Sequence, residues 1–556
     1  MIVIAVYWLF LFILLLPLGV LTQHALKLKT DSPILTILLG IVLLTCGFTL
    51  TAFFMPLGAV GLAIWCIVSL TSGIYFRNEV IRLIKDFGKS LKLLPSHLKI
   101  VIGILTVAAL LKSAQYPFII DNESYYVQTI KWLNEYGFVK GLANLHMFFA
   151  QNSGWHVLQA GLNFSFISYT INDINGFVFL ICTIYCLTEG QRLSMGRELH
   201  WLMFIPLPAI LFFQFLDVPS PDLPLLIITP IILHLYAQHT DEDSNYKIGL
   251  LLFILLVFIK LTVLPLGILF LPGLLKRQNL VFAIVTALPI TILWIAKNII
   301  VSGYPLYPIA FFKTGYDWAM PDNLFRFIID NTADYGYNRT TGNALLPPNT
   351  SMSEKLLMWM QQKGLARIVN VLTLVVLTLM PFGISKNKRY RLIYIALLAN
   401  FLAVLFTSPQ FRYFLYITIC AGLFVAAWLY NLLKSKLSVY KTLAILSTFA
   451  VAVTFINIGF SKFTANKHHQ RNSAMRWQQL YMPEAVTKFP KMEFIKIKMD
   501  NLEYYSPKYN FFTYGTANGP LPCVNSEQIE YLYRELGIIP QLRTTELKDG
   551  FKSVKK

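Results

Sequence analysis

The sequence predicts an all-α integral membrane protein with about fourteen transmembrane helices, from its low charge and its long apolar runs. Only 13% of the 556 residues are charged, against roughly 25% in soluble domains. Runs such as 2–21 and 34–54 are long enough to cross roughly 30 Å of hydrocarbon as helices. Because these runs are continuously apolar and do not alternate with polar residues, the pattern favours helices over membrane strands.

Lysine and arginine in the short loops predict the orientation of the chain. The basic loop 77–99 is placed in the cytoplasm. The net charge of +19 is then explained by the excess of lysine and arginine in cytoplasmic loops, and it does not indicate a nucleic-acid partner. If the apolar stretch 155–171 crossed the membrane, every later basic loop would lie on the outer side. The charge rule therefore favours a helix that lies at the outer interface and does not cross. The N terminus and the segment after Ile120 are then outside. The later basic residues then lie inside: Arg192, Arg197, Lys276, Arg277, Lys386, Lys388, Arg389, Arg391, Lys434, Lys436 and Lys441.

The apolar runs and the loops between them divide the chain into six parts. The predicted spans are 2–22, 33–54, 57–76, 100–118, 173–189, 201–216, 223–238, 247–259, 261–275, 280–300, 367–384, 392–407, 413–432 and 442–460. The parts are N-terminal spans (1–118), a first outer loop with interfacial helices (119–172), core spans (173–300), a second large outer loop (301–356), C-terminal spans (357–460) and an extracytoplasmic C-terminal region (461–556). The last part is expected to be a small ordered appendage, because apolar and aromatic residues are too frequent for disorder.

Two acidic clusters lie on the predicted outer side. Asp121 and Glu123 follow the fourth span directly. Either carboxylate can act as a general base, and both can help to hold a divalent cation. The alternative is that Asp121 only caps the following helix. Asp217 and Asp222 form the second cluster, where three prolines forbid a continuous helix, and a solvated turn is the alternative there.

Three cations at the predicted outer rim are candidates for binding a phosphate. Lys260 lies within an apolar run, where a charge is costly and indicates function unless the side chain snorkels to the interface. Lys297 precedes an aromatic, proline-stiffened loop with Tyr304 and Tyr307, for which an interfacial aromatic belt is the alternative. Arg412 lies outside against the charge rule, and a guanidinium binds phosphate bidentately.

Other polar features of the sequence carry less chemistry. His146 and His156 are isolated, and we expect them to be structural. The chain has no glycine-rich phosphate-binding motif, so nucleotide-driven transport by this chain alone is not expected.

The order of these short motifs resembles the GT-C superfamily of membrane glycosyltransferases. The resemblance rests on the acidic pair after an early span, the interfacial segment, the outer aspartate, the Gly-Tyr-Pro-Leu-Tyr-Pro loop at 303–308 and the Pro-Gln-Phe-Arg-Tyr turn at 409–413. It covers roughly residues 100–430. Protein mannosyltransferases, aminoarabinose transferases and oligosaccharyltransferases belong to this superfamily. The stretch Gly141–His146 is similar to one in a bacterial multipass group.

The resemblance implies a lipid-phosphate sugar donor, an acidic catalytic residue in the first outer loop, and inversion at the anomeric carbon. Asp121 takes the position of the first-loop acid with Glu123 beside it, and Asp217 or Asp222 takes the second acidic position. Some members need a divalent cation, so a Mg²⁺ or Mn²⁺ ion on Asp121, Glu123 and Asp222 stays an open alternative.

The binding residues are assigned by charge and by side. Lys260, Lys297 and Arg412 are assigned to the donor phosphate, and Tyr304 and Tyr307 to the loop that faces donor and acceptor. The acceptor stays open, because the chain lacks the sequon-reading motif of oligosaccharyltransferases and the later-loop motifs of eukaryotic mannosyltransferases.

The expected function is transfer of a sugar from a polyprenyl-phosphate-linked donor to a hydroxyl of a glycan, lipid or protein, on the extracytoplasmic face of the plasma (inner) membrane. A lipid-linked oligosaccharide flippase or transporter is one alternative, but it should place ionisable residues near mid-membrane and show symmetric halves. An O-antigen-type polymerase or ligase is another, although loop 301–356 holds only Arg326 and Arg339 of the Arg and His residues expected there. A non-enzymatic scaffold is the third.

The predicted sidedness can be tested by cysteine labelling in a cysteine-free variant. Single cysteines in the neighbourhoods of Asn122 and Pro221 are both expected to react with a membrane-impermeant maleimide added to intact cells, because both segments are predicted to be outside. A cysteine at position 85, in the basic loop, is the control and should react only after permeabilisation. Labelling of the first two neighbourhoods from opposite faces would contradict the arrangement.

Overall fold

The structure is a computed structural model of the whole chain. It describes residues 1–168, 173–195, 198–238, 243–338, 346–347, 349–384, 387–457, 476–508 and 511–556. Three basic residues named above lie outside the described residues: Arg197, Arg339 and Lys386. Parts of the predicted loops and of the C-terminal region also lie outside them.

The described residues form twenty α-helices and four short strands. The helices are α1 Ile2–Leu26, α2 Pro33–Ala52, α3 Ala59–Tyr75, α4 Arg77–Leu93, α5 Ser96–Ser113, α6 Val127–Glu135, α7 Gly154–Leu162, α8 Ile174–Ser194, α9 Ala209–Phe213, α10 Asp222–Ala237, α11 Asp243–Ile259, α12 Leu271–Leu274, α13 Arg277–Ser302, α14 Asp322–Tyr337, α15 Met352–Met360, α16 Gly364–Gly383, α17 Lys388–Leu405, α18 Phe411–Leu432, α19 Leu437–Asn457 and α20 Ser526–Leu536. The strands are β1 Phe494–Met499, β2 Leu502–Pro507, β3 Ile538–Leu542 and β4 Phe551–Lys555. A π-helical turn, Asn122–Tyr126, precedes α6, and a 3-10 helix, Leu261–Phe270, precedes α12.

The fold is that of a mostly helical membrane protein, as predicted. In the described part of the chain, eight helices are long and apolar enough to cross a membrane: α1, α2, α5, α8, α13, α16, α18 and α19. The pair α3 and α4, bent by 91°, makes up to nine. The predicted number of fourteen is therefore not confirmed. Helices α10 and α11 coincide with predicted spans but have only 16 and 17 residues, short for roughly 30 Å of hydrocarbon at about 1.5 Å per residue.

The predicted span 201–216 is not a continuous helix. It contains a four-residue 3-10 helix, Trp201–Phe204, and the five-residue α9. Pro206 and Pro208 lie between the two helices and lack the backbone N–H that a helix needs. The segment still runs through the helical body, since the carbonyl of Met203 accepts from Tyr440 and that of Phe215 accepts from Asn175. Most of it is buried in protein, which allows irregular backbone at this depth.

Two predicted non-spanning segments take different forms in the structure. The stretch 155–171 contains α7, whose nine residues extend about 14 Å and cannot cross the membrane. All nine are buried, so α7 is packed inside the protein and does not lie on a lipid surface. The basic loop 77–99 contains the amphipathic helix α4, which turns away from α3 by 91°.

The helical body has two chemically different ends. The basic end carries Lys27, Lys276, Arg277, Lys388 and Lys434 at helix termini. Hydrogen bonds connect the segments at this end. For example, the backbone N–H of Lys29 donates to Ser244 Oγ at 3.1 Å. The opposite end, called here the loop end, carries residues 114–168, the described parts of 301–363 and the C-terminal region. The N terminus lies at the loop end, where the Met1 ammonium donates to the carbonyl of Gln479 at 2.5 Å.

The described residues of the C-terminal region are folded and add sheet to the all-α expectation. It contains two antiparallel hairpins, in which Phe494 pairs with Pro507 and Ile538 pairs with Lys555. It packs onto the first loop through an apolar cluster that includes Trp132, Phe149, Leu502, Val524 and Phe551. Gly141 permits this contact, because its φ is +59° and a Cβ there would lie 2.2 Å from the carbonyl oxygen of Phe551.

A buried ion pair joins α5 to the turn before α10. The ammonium of Lys112 contacts the Asp217 carboxylate, and neither side chain is exposed. Asp217, predicted as a candidate for the second acidic site, is thus the partner of a lysine inside an apolar helix. A buried charge is tolerated only when it is paired, so each residue depends on the other.

The Lys112–Asp217 pair predicts a large stability effect. Lys112→Met leaves a buried carboxylate unpaired and should cost about 3–5 kcal/mol, because breaking one side of a buried pair leaves an uncompensated charge. The measurement is thermal unfolding of the purified protein in detergent. The double variant Lys112→Met/Asp217→Leu removes both charges and is expected to recover most of the loss. A double variant less stable than the single one would refute this account.

Candidate functional site

Four chain segments meet at the loop end and place two acids beside two cations. Asp121 follows α5 and precedes the π-helical turn. Asp222 and Arg412 lie in the first turns of α10 and α18, which pack against each other. Lys260 is the single residue between α11 and the following 3-10 helix. We call Asp121, Asp222, Lys260 and Arg412 the charge cluster.

The charge cluster is held by direct ion pairs. Arg412 Nη1 lies 2.5 Å from Asp121 Oδ2 and 3.9 Å from Asp222 Oδ2. The ammonium of Lys260 contacts Asp222 Oδ1 and lies 3.9 Å from the ring centroid of Tyr413. The side chains of Asp121 and Arg412 are 21% and 17% exposed, whereas Asp222 is 3% exposed. The cluster is thus electrically balanced and open to a ligand on the side of Asp121.

Local sequence explains why these side chains face each other. The prolines of the 217–224 turn end one segment and start α10 at Asp222. Lys260 has an extended backbone, φ −155° and ψ 119°, so α11 cannot continue through it. Hydrogen bonds with other segments of the chain fix the turn before α18. Trp359 Nε1 donates to the carbonyl of Pro409 at 3.0 Å. Ser408 Oγ also donates to the carbonyl of Thr332 at 2.7 Å.

Asp121 does not cap the next helix, so the alternative that it is only a helix cap is ruled out. It stands at the N-cap position without a side-chain cap hydrogen bond. Its carboxylate binds Arg412, and the Tyr126 hydroxyl lies 3.5 Å from the same oxygen. Burial, and next Asp121, raise the pKa of Tyr126, so this phenol stays protonated and donates to the carboxylate.

The family of the chain follows from comparison with known proteins. A family described as "Domain of unknown function (DUF8201)" matches residues 1–419. The chain belongs to this family. No curated protein and no solved structure matches the chain. The part that the DUF8201 family covers includes the whole charge cluster and ends inside α18, so the C-terminal region lies outside it.

Lys297 lies near the charge cluster and has a different environment in this DUF8201 member. It is 3% exposed, and its ammonium donates to the backbone carbonyl of Asn152. Within the described residues, no carboxylate lies within 4.0 Å of it. His156 is close enough to respond to both Lys297 and Asp121.

His156 is a buried residue that sequence reasoning took to be structural. Its side chain is fully buried, and its ring centroid lies 4.8 Å from that of Tyr126. Neither ring nitrogen has a hydrogen-bond partner among the described residues. Burial, and next Lys297, lower its pKa to about 3, so the ring is neutral at pH 7. A lone histidine carries no sequence pattern that would have identified it.

Glu123 faces the C-terminal region, although it is two residues from Asp121. Thr487 Oγ1 donates to Glu123 Oε2 at 2.5 Å, and the N–H of Lys488 donates to Oε1 at 3.1 Å. Its carbonyl accepts from the N–H groups of Thr516 and Ala517, both at 2.8 Å. The sequence placed Glu123 in the same site as Asp121, whereas the structure gives it the contacts of a docking residue.

The two tyrosines of the second outer loop pack into an apolar cluster. The Tyr304 hydroxyl donates to Asp322 at 2.5 Å, and its ring stacks on Phe325 at 4.2 Å. Tyr307 is buried and makes an edge contact with Phe325 at 5.8 Å. It is also close enough to Tyr413 for that residue to raise its pKa, after the larger effect of burial. Tyr304 thus packs against α14, and Tyr307 lies near Tyr413, whose ring contacts Lys260 of the charge cluster.

The proposed metal set is not assembled. Among the described residues, no group of three or more His, Cys, Asp and Glu side chains is arranged to hold a metal ion. Asp222 contacts Lys260 and Arg412, and Glu123 faces Thr487. Of the three acids that the sequence grouped as Mg²⁺ or Mn²⁺ ligands, Asp121 and Asp222 share Arg412, whereas Glu123 faces away from both.

A separate cavity opens between the first loop and residues 483–486. It encloses about 670 Å³, including the space at its mouth. Lys131, Asn134, Asn163, Asp173 and Glu484 are among its polar lining residues. No residue of the charge cluster lines this cavity, so it is distinct from the candidate site.

The docking of the C-terminal region through Glu123 should depend on pH. Burial raises the pKa of the Glu123 carboxyl, against the lowering effect of hydrogen bonds from Thr487 and Lys488. The docked state therefore binds a proton more readily than the released state. Docking should be strongest below the ordinary glutamate pKa and weaken as the pH rises through the raised pKa.

Hydrogen exchange measures this effect. Protection factors of residues 485–489 are expected to fall as the pH rises above the ordinary glutamate pKa of about 4.5, by about tenfold for each unit by which the pKa is raised. Glu123→Gln should remove the pH dependence, since glutamine does not titrate. The β1–β2 hairpin is the internal control. A pH dependence that survives in the glutamine variant would contradict the assignment.

Proposed function

We propose that this protein is a membrane glycosyltransferase, which moves a sugar from a polyprenyl-phosphate-linked donor to a hydroxyl of a glycan, lipid or protein acceptor. One observation carries the proposal. Asp121, Asp222, Lys260 and Arg412 come from distant parts of the chain and form one partly open cluster at a single end of the helical body. A carboxylate that accepts a proton, next to cations that stabilise a phosphate, is the set of groups that this reaction needs.

We further propose fourteen membrane crossings, with the loop end outside the plasma (inner) membrane. Support comes from the chain path, because α17 and the shorter and irregular segments at 201–216, 222–237, 243–259 and 261–274 also pass between the two ends. Support also comes from charge, because the short connections between helices at the end opposite the charge cluster are rich in lysine and arginine. A cytoplasmic excess of Lys and Arg is the general rule for such proteins.

The proposed reaction is an in-line displacement at the anomeric carbon. The acceptor oxygen forms a bond to this carbon, and the bond between the carbon and the phosphate oxygen breaks. The bonding electrons leave with the lipid phosphate, the configuration inverts, and the hydroxyl proton passes to Asp121. Atoms and charge balance, because the phosphate gains the charge that the carboxylate loses.

The ion pairs of the cluster link these two events. In the resting structure, Arg412 forms an ion pair with Asp121. Negative charge that develops on the leaving phosphate attracts Arg412 and Lys260, which lowers the barrier. As Arg412 turns toward the phosphate, the Asp121 carboxylate loses a cation and becomes a better proton acceptor. Asp222 keeps both cations in place and is a positioning residue.

A lipid-linked oligosaccharide flippase or transporter is the second candidate, and one observation favours it. The crossings at 201–216 and 260–274 are interrupted, and discontinuous helices are typical of secondary transporters. The charged residues of the site, however, gather at one end of the body and not halfway through it, which agrees better with chemistry at a surface. A polymerase or ligase would share the same donor and the same face.

Asp121→Asn is the central test. Transfer from a panel of polyprenyl-phosphate-linked sugars in a membrane preparation should fall by about 10²–10⁴-fold, the usual contribution of a general base. The amide keeps the size of the side chain but cannot take the proton. Asp330→Asn, an exposed aspartate on α14 at the same end, is the matched control and should keep full transfer.

Two results would change the conclusion. Undiminished transfer by Asp121→Asn at normal protein level would remove Asp121 from the mechanism. Absence of transfer by the wild type, together with movement of the intact lipid-linked sugar across vesicles, would replace the transferase with the transporter.

A further inference from the structure

Lys297 is a buried cation without a matching acid, unlike the other two cations of the site. Lys260 is paired with Asp222, and Arg412 with Asp121. Lys297 is 3% exposed and hydrogen-bonds a neutral carbonyl, that of Asn152. In the part of the chain that the structure describes, no carboxylate reaches it within 4.0 Å. An anion bound beside this lysine would offset the cost of burying its charge.

The residues around Lys297 have unused hydrogen-bonding groups. Both ring nitrogens of His156 and the side-chain oxygen Oδ1 of Asn152 are buried and have no partner among the described residues. The large majority of buried side-chain polar atoms are hydrogen-bonded, and each unpaired one carries a penalty. Two such residues beside one unpaired lysine are the pattern of a binding site and not of ordinary packing.

Tight packing fixes this group next to the charge cluster. Ser153 Oγ donates to the carbonyl of Ile259 at 2.8 Å, one residue before Lys260. Gly154 lies against Phe258, whose ring a Cβ would approach to 2.5 Å. The start of α7 thus packs between α13 and the C-terminal end of α11. His156 responds to Asp121 as well as to Lys297, so both groups are within electrostatic reach of it.

We propose that Lys297, His156 and Asn152 form the subsite that anchors the phosphate of the donor lipid, and that this phosphate is a single phosphodiester. The inference rests on the proposed function. One uncompensated positive charge matches the one negative charge of a phosphodiester and not the greater charge of a diphosphate. Lys297 donates from its ammonium and His156 from the N–H of its neutral ring. Asn152 does not contact the phosphate, because its side-chain oxygen only accepts; it positions Lys297 through its backbone carbonyl.

This subsite separates two roles that the sequence gave to all three cations together. Lys260 and Arg412 would have to leave their carboxylates to bind the donor in its ground state. Lys297 does not, so it anchors the intact donor. The paired cations then respond to the charge that develops on the leaving phosphate, which is the condition for lowering a barrier.

Binding to the purified full-length protein in nanodiscs tests the subsite without any transfer of sugar. The probe is farnesyl methyl phosphate, a phosphodiester that carries no sugar, measured by calorimetry with empty nanodiscs subtracted. Farnesyl methyl ether, farnesyl diphosphate and inorganic phosphate are compared with it. The wild type is expected to bind the phosphodiester more tightly than each of these three.

Lys297→Met and His156→Phe should each weaken binding of the phosphodiester by about tenfold or more, because each removes a hydrogen bond to a charged group. Lys140→Met, an exposed lysine at the same end, is the control and should bind as the wild type. Lys297→Met should unfold close to or above the wild-type temperature, because it removes a buried lysine without an acidic partner and only one hydrogen bond, to the Asn152 carbonyl. A fall in unfolding temperature as large as that of Lys112→Met would mean that Lys297 has an acidic partner, and would overturn the inference.

The other outcomes are also decisive. Unchanged binding in both variants, or preference for the diphosphate, would overturn the subsite and leave the transferase to the Asp121→Asn test. Binding of inorganic phosphate as tight as that of the farnesyl compound, and lost in Lys297→Met, would show a free-anion site and remove the lipid. Loss of binding in both variants by a protein that transfers no sugar would keep the subsite and remove the transferase.

Discussion

The ion pair between Arg412 and Asp121 is the contact on which the candidate site depends. It joins residues 291 positions apart and fixes the start of α18 against the segment that follows α5. Asp222 brings α10 to the same guanidinium, and Lys260 brings the end of α11. Inside a membrane, apolar packing alone gives little preference for one helix register, because lipid tails are as apolar as the helices. Charged pairs at the helix ends therefore set which turns face each other.

Sequence reasoning could find the members of the charge cluster because each one violates a rule. A lysine inside an apolar run, an outer arginine and acids at a proline-rich turn all cost free energy unless they have a function or a partner. The same rule applies to Lys112, which lies inside a predicted span, and it would have identified the buried partner of Asp217. His156 breaks no such rule, and its neighbour Lys297 is far away in the chain. Only the packing of α7 against α11 and α13 reveals it.

Other differences between expectation and structure have simple geometric causes. Asp121 and Glu123 are two residues apart, and such residues point to opposite sides of a helical turn, so they could not share one site. Hydropathy detects apolar composition and not helical continuity, so the segment with Pro206 and Pro208 read as a span. The hairpins of the C-terminal region are short and mixed in polarity, so the sequence shows no clear alternation of apolar and polar residues that would predict strands.

The π-helical turn Asn122–Tyr126 connects the chemistry to the C-terminal region. On one side, Arg412 holds Asp121; on the other, Thr487 and Lys488 hold Glu123. A shift of the C-terminal region must therefore move the backbone that carries Asp121. The DUF8201 match covers the charge cluster but not Thr487 or Lys488. The charged groups thus belong to the matched part of this chain, while their alignment is completed by residues outside it.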